Sequence, residues 1–171
     1  IAVGLRAQGH EALGLACDVS DEAACHSAIA DVVQRLGGID WLIANAGISA
    51  RCLLREAAPA VLRRVMAVNF FGAAWCTQAA LPSLLQRRGQ IVVISSVAGF
   101  SPLVGRSAYA ASKHALHGFF DSLRSEVAAD GVGVMLACPA FIATGIERAA
   151  LGADARPMQA PRQTSGREAT P

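Results

Sequence analysis

The chain has 171 residues, 53% of them hydrophobic and 16% charged, and a formal net charge of +2 at pH 7. That supplies apolar material for the core of one domain, while the scattered arginines, with only the doublets Arg63–Arg64 and Arg87–Arg88, give no basic surface for a nucleic-acid partner. No apolar run reaches the ~20 residues that cross a bilayer, and no basic stretch precedes an apolar one at the start, so neither a transmembrane segment nor a signal peptide is expected.

In chain order, "EALGLACDVS" is a short apolar run ending at Asp18 and reads as a strand. "SDEAACHSAIADVVQRLGG" reads as a helix: Ser20 or Asp21 caps it, Ala24, Ala28, Val32 and Leu36 form its stripe, and Gly37–Gly38 stop it. "IDWLIANAG" is a second strand entering a glycine turn, followed by a long helical stretch over roughly 58–85 with Pro82 near its end. "GQIVVISSVAG" is a third strand, "SAYAASKHALHGFFDSLRSEVAADG" a long helix ending at Gly131, and "VGVMLACPA" a fourth strand. Continuously apolar strands alternating with helices predict an α/β, doubly wound parallel sheet covered on both faces. From Gly152 the composition turns to Pro, Arg, Gly and Ala without a period, which predicts a body over 1–151 and a mobile or ligand-ordered segment over 152–171. The five cysteines lack CxxC spacing and are odd in number, as expected of reduced, buried thiols in a cytoplasmic protein.

In such sheets ligands sit beyond the carboxyl ends of the strands. The residues there are Asp18, Asn45–Gly47, Ser95–Ser96 and Pro139–Thr144. The chain also has a single tyrosine and a single lysine, and they stand four positions apart in "YAASK", at Tyr109 and Lys113. On a helix positions i and i+4 share a face. A phenol ordinarily titrates near 10, and a cation within ~4–6 Å can lower that by ~1–3 units, toward acid–base work at neutral pH.

With these segments in place the chain resembles the short-chain dehydrogenase/reductase family. "YAASK" is similar to its Tyr-xxx-Lys, "IVVISSVAG" to the segment holding its catalytic serine (here Ser96), and "VNFFG" to the segment with its active-site asparagine, here Asn69. "ANAG" resembles its Asn-Asn-Ala-Gly turn with Ala44 in place of the first Asn, giving Asn45, Ala46 and Gly47. "CDVSD" resembles the segment that contacts the adenine ring, at Asp18 and Val19. "PAFIAT" resembles the loop near the nicotinamide, at Pro139, Ile142 and Thr144, with Ala140 in place of a glycine. The resemblance covers the chain to about Ala149. It implies an NAD- or NADP-dependent oxidoreductase interconverting an alcohol and a ketone or aldehyde. In that reading Ser96 holds the substrate oxygen, Tyr109 moves a proton, Lys113 lowers the tyrosine pKa and binds ribose hydroxyls, and Asn69 holds a water. It further implies a homodimer or homotetramer, while the apolar stretch "SSVAGFSPLVGRSAY", with Arg106 near its end, suits a small, moderately hydrophobic carbonyl or alcohol, and no metal is expected.

The family's glycine-rich phosphate loop has no counterpart here: "GLRAQGHEALG" and "GVGV" open no helix after a strand. The expectation is therefore an incomplete sheet, lacking the first two strands and that loop, cut at both ends and weak in cofactor binding. A non-catalytic nucleotide-binding or interaction protein on the same scaffold is the alternative. A hydrolase lacks its G-x-S-x-G around Ser96, and the His114/His117 pair lacks further metal ligands.

Overall fold

The computed structural model describes residues 1–140, 146 and 149–158. After a short α1 (Ala2–Ala7) with no buried residue, α2 (Glu22–Leu36) begins at Asp21, whose side chain accepts the Ala24 N–H, and ends at Gly37 in the left-handed region. Strand β1 (Trp41–Ala44) follows. Next come α3 (Pro59–Met66), a π-helical turn over Ala67–Phe71, and α4 (Gly72–Arg87). Strand β2 (Gln90–Ile94), a 3₁₀ turn over Val97–Gly99, α5 (Ser107–Val127) and β3 (Gly133–Ala137) complete the order.

The three strands form one parallel sheet in the order β1-β2-β3, with Ile91 opposite Leu42 and Val134. β2 lies in the middle, which is why three successive residues, Ile91, Val92 and Val93, are buried. Ile91, Val93, Val134, Leu84, Leu116, Phe120 and Leu123 form the core, with Leu42, Ala44, Ile29 and Val33 packed against it. α2, α4 and α5 therefore gather on the sheet face that these side chains share. A smaller cluster of Ala50, Val61, Val65 and Leu151 sits beneath the loop after β1.

Several expectations are corrected. Residues 10–18 form no strand, and among the described residues the sheet has three strands rather than four. A strand exists only through a neighbour's ladder, and the outer edge of β1 takes no hydrogen bonds from this segment. Among the described residues, helices cover one face of the sheet. On the other, Trp41, Ile43 and Met135 are 66%, 61% and 48% exposed. The long helical stretch is two helices joined through the π turn. Of the five free cysteines only Cys25 is fully buried, and burial pushes its thiol up to about 12, whereas Cys17 lies exposed in the unpaired segment. Among the described residues no helix is long and apolar enough to cross a membrane. Residues 152–158 fold back on Leu151, with Met158 N–H bonded to Ala150 O at 2.8 Å, and the remainder of that predicted segment lies outside the described residues.

Gly72 starts α4 where the Asp18–Ser20 loop docks. A Cβ there would stand 2.7 Å from the Val19 carbonyl oxygen, a backbone atom that cannot swing aside. Gly72→Ala is expected to destabilise the fold by about 1–3 kcal/mol through this overlap, measured as a fall in the urea midpoint. An unchanged midpoint would show that the loop is not anchored there.

Candidate functional site

Lys113 sits in the second turn of α5 and is 4% exposed. Its Nζ donates to the Ile94 carbonyl at 2.8 Å, tying the helix to the last residue of β2. The same Nζ stands 5.7 Å from the centre of the Tyr109 ring. Burial lowers the ammonium to about 8, opposed by the nearby Cys138, because desolvation disfavours the charged form. Among the described residues no carboxylate forms an ion pair with Lys113.

Asn69 is buried in the middle of the π turn. Such turns re-aim one side chain relative to an α-helix. Its Oδ1 accepts the Ile48 N–H at 2.8 Å, and its Nδ2 donates to Ile48 O at 3.0 Å and to Ser112 Oγ at 3.0 Å. Ser112 in turn donates to the Tyr109 carbonyl at 2.7 Å. A chain of hydrogen bonds therefore runs from the loop after β1, through the π turn, to the first turn of α5. Both amide hydrogens of Asn69 are used in it. Gly47 lies at the meeting point: a Cβ there would be 3.5 Å from Asn69 Oδ1 and 3.9 Å from Lys113 Nζ.

Ser96 caps the 3₁₀ turn that follows β2, its Oγ accepting the Ala98 N–H at 3.2 Å, and α5 packs on that turn. Arg106, immediately before α5, donates to the buried Ser49 hydroxyl and reinforces the link to the loop after β1. Val19, Asn45 and Ala46 share a hollow of about 120 Å³ with Ala44, Gly72 and Cys76. Asp18 is exposed beside it, and two hydrogen bonds from Ser20, side chain and backbone, hold its carboxyl below the usual range. The Pro139 carbonyl accepts the Val97 N–H at 3.3 Å, while Ile142 and Thr144 lie outside the described residues.

Two sets of the expected residues thus come together: Gly47, Asn69 and Lys113 with Tyr109, and Val19 with Asn45 and Ala46. Sequence reasoning missed Ser112, Ser49 and the π turn. Ser112 had a signal, since it stands between Tyr109 and Lys113 at a helical spacing from the phenol. The π turn had none.

The model for the family described as "short chain dehydrogenase" matches residues 1–154. Dehydrogenase/reductase SDR family member 7B of Bos taurus is 42% identical over 148 residues, 86% of this chain and 46% of that protein. The SDR family protein 7-like of Anopheles gambiae is 43% identical over 143 residues, 83% of this chain and 45% of that protein. The chain spans about half the length of these curated relatives. A short-chain dehydrogenase of Streptomyces avermitilis superposes with a TM-score of 0.83 at 32% identity, covering 89% of this chain and 57% of that one. A short chain dehydrogenase/reductase of Burkholderia phymatum, solved in complex with NAD, gives 0.81 at 33% identity, covering 85% and 53%. The chain belongs to the short-chain dehydrogenase family.

Proposed function

We propose that this chain carries the proton-transfer half of an NAD(P)-dependent oxidoreductase that interconverts an alcohol and a ketone or aldehyde. One observation carries the reading: a desolvated lysine ammonium held one helical turn from the chain's single tyrosine, at the exit of a central parallel strand. Nothing in the core requires a cation there, and burying one without a carboxylate is costly. The charge earns its place by favouring the phenolate of Tyr109.

The residues fit a dinucleotide. Lys113 has three N–H donors and spends one on Ile94 O, so ribose hydroxyls suit the others. The hollow beside Asp18, lined by Val19, Asn45 and Ala46, suits a ring with a polar edge. The NAD in the Burkholderia phymatum relative supports the same assignment. When bound, the cofactor supplies or accepts the hydride.

The protein's own part is orientation and proton traffic. Tyr109 gives its phenolic proton to a carbonyl oxygen in reduction and takes it from a hydroxyl in oxidation. Ser96 donates to that same oxygen and fixes it, since its Oγ accepts from Ala98 and keeps its own proton free for donation. Asn69 holds Ile48 and Ser112, and so the floor beneath Tyr109. Between Ser96 and Tyr109, Phe100 and Val104 are 63% and 93% exposed, which supports a moderately hydrophobic substrate. The aromatic group of Phe70, Phe71, Trp75 and Phe119, with Phe71 and Phe119 exposed, supports a second copy of the chain as partner. Sedimentation of the whole protein should show a dimer or tetramer, and a monomer at all concentrations would contradict it.

Tyr109→Phe in the whole protein should abolish carbonyl-dependent NAD(P)H oxidation, with an unchanged melting curve and unchanged cofactor binding. Turnover equal to the wild type would sink the mechanism. Lys113 generates a pH prediction. Its folded pKa of about 8 lies below the ordinary 10.5. Between those values the unfolded chain binds more protons at this lysine, so the Lys113 contribution to stability rises with pH through that window, while the raised thiol of Cys25 works the other way above about 9. The rise is of order 3 kcal/mol at about 1.4 kcal/mol per unit. Lys113→Met should remove it. Denaturation midpoints of the two proteins at pH 7.5 and 10.5 check this, and parallel pH profiles would refute it.

A further inference from the structure

One turn beyond Lys113, α5 carries another polar side chain that the proposed proton chemistry does not use. Nε2 of His117 lies 3.0 Å from Ser95 Oγ and 3.7 Å from Cys138 Sγ. Ser95 is the first residue after β2, and Cys138 the first after β3. A single imidazole therefore touches the exits of two adjacent parallel strands. The backbone joins the same exits: Ser95 N–H donates to Ala137 O at 2.8 Å and Val97 N–H to Pro139 O at 3.3 Å. The next residues along each chain are Ser96 and Pro139, the expected contacts of the substrate oxygen and the cofactor.

The ring has been given room. A Cβ at Gly99 would stand 2.6 Å from His117 Nε2 and 2.9 Å from Ser95 Oγ, so glycine is what lets the two meet. Phe100 closes over the imidazole edge to face, with ring centres 6.2 Å apart. The contact also separates two neighbouring hydroxyls. Ser95 is buried and engaged by His117, whereas Ser96 is half-buried and, among the described residues, bonded through its acceptor side alone.

We infer that His117 is a positioning residue: by clamping Ser95 and Cys138 to α5, it holds the Ser96 hydroxyl in register with Tyr109, two turns earlier on the same helix. The role rests on the proposed parts of Ser96 and Tyr109. Leucine at this position fills the space without a hydrogen bond, and glutamine restores a group that either donates to or accepts from Ser95.

The test is made on the whole protein with His117→Leu, His117→Gln, Ser95→Ala and the Leu/Ala double variant. Turnover should fall about tenfold or more in His117→Leu and in Ser95→Ala, the cost expected of a misplaced reacting group. The cofactor KM should change much less, the double variant should lose no more than the worse single one, and His117→Gln should recover most of the loss. A second readout does not depend on turnover. Amide hydrogen exchange at Val97, whose N–H crosses between the two exits, should quicken in His117→Leu and in Ser95→Ala, while Phe120 and Leu123 keep their protection. Unchanged exchange at Val97, wild-type turnover in His117→Leu, additive losses in the double variant, or a glutamine variant as poor as leucine would each overturn the clamp. A wild-type protein without carbonyl turnover defeats the oxidoreductase reading instead, and the exchange experiment still judges the clamp.

Discussion

The rest of the site depends on a charge kept out of water. Lys113 is buried where burial disfavours its protonated form, and a single carbonyl, that of Ile94, holds it from the sheet side. Ile94 can present that oxygen because it is the last residue of β2, where the ladder to β3 ends. The lysine can reach it because α5 crosses the same strand end, locked down by Leu116, Phe120 and Leu123 in the core. Core packing sets the position of the helix, and the helix sets the distance from ammonium to phenol. Loosening any of these contacts lets water reach the ammonium and weakens its influence on Tyr109.

The π turn does for the other side of the site what the strand end does for this one. In an uninterrupted helix over 59–87 the Asn69 side chain would follow the α-helical stripe of its neighbours. The extra residue in the turn re-aims it, and its amide meets both backbone groups of Ile48. That pairing resembles a short piece of ladder made by a side chain. It fixes the loop after β1 at the point where Gly47 passes the lysine. Ser112 then carries the restraint into the first turns of α5. Gly47, Asn69 and Lys113 thus meet from three different segments of chain, the loop after β1, the π turn and α5.

Much of this was legible from the sequence where the cause was local. The cap at Asp21 and the stop at Gly37 follow from short-range hydrogen bonding and from glycine's tolerance of positive φ. The apolar runs of β2 and β3 signal strands covered by helices, and the i,i+4 spacing of Tyr109 and Lys113 puts them on one face. What failed was non-local. "EALGLAC" has a strand's composition, but composition cannot supply a partner, and without one the segment lies exposed with its cysteine. Coverage of the second face is also non-local: among the described residues Trp41, Ile43 and Met135 stay exposed there, and their own composition does not say what packs on them. The π turn and the His117 contact depend on register to within one residue, finer than hydrophobic periodicity resolves.

The two halves of the site differ in how they are built. Lys113, Asn69, Ser112 and Ser95 are buried, and each is hydrogen-bonded within the protein. Asp18, Asn45 and Ala46 are exposed at loop positions, and Val19 is only half-covered. Groups that must meet developing charge gain most from being fixed before reaction, because no reorganisation is then needed at the moment of transfer. Groups that recognise a ligand's periphery gain little from burial and must stay reachable. The division in this fold matches that difference under the proposed mechanism: the side chains proposed to move the proton lie where strand ends and helices already converge, and those proposed to recognise the cofactor lie on the loops that those same strands release.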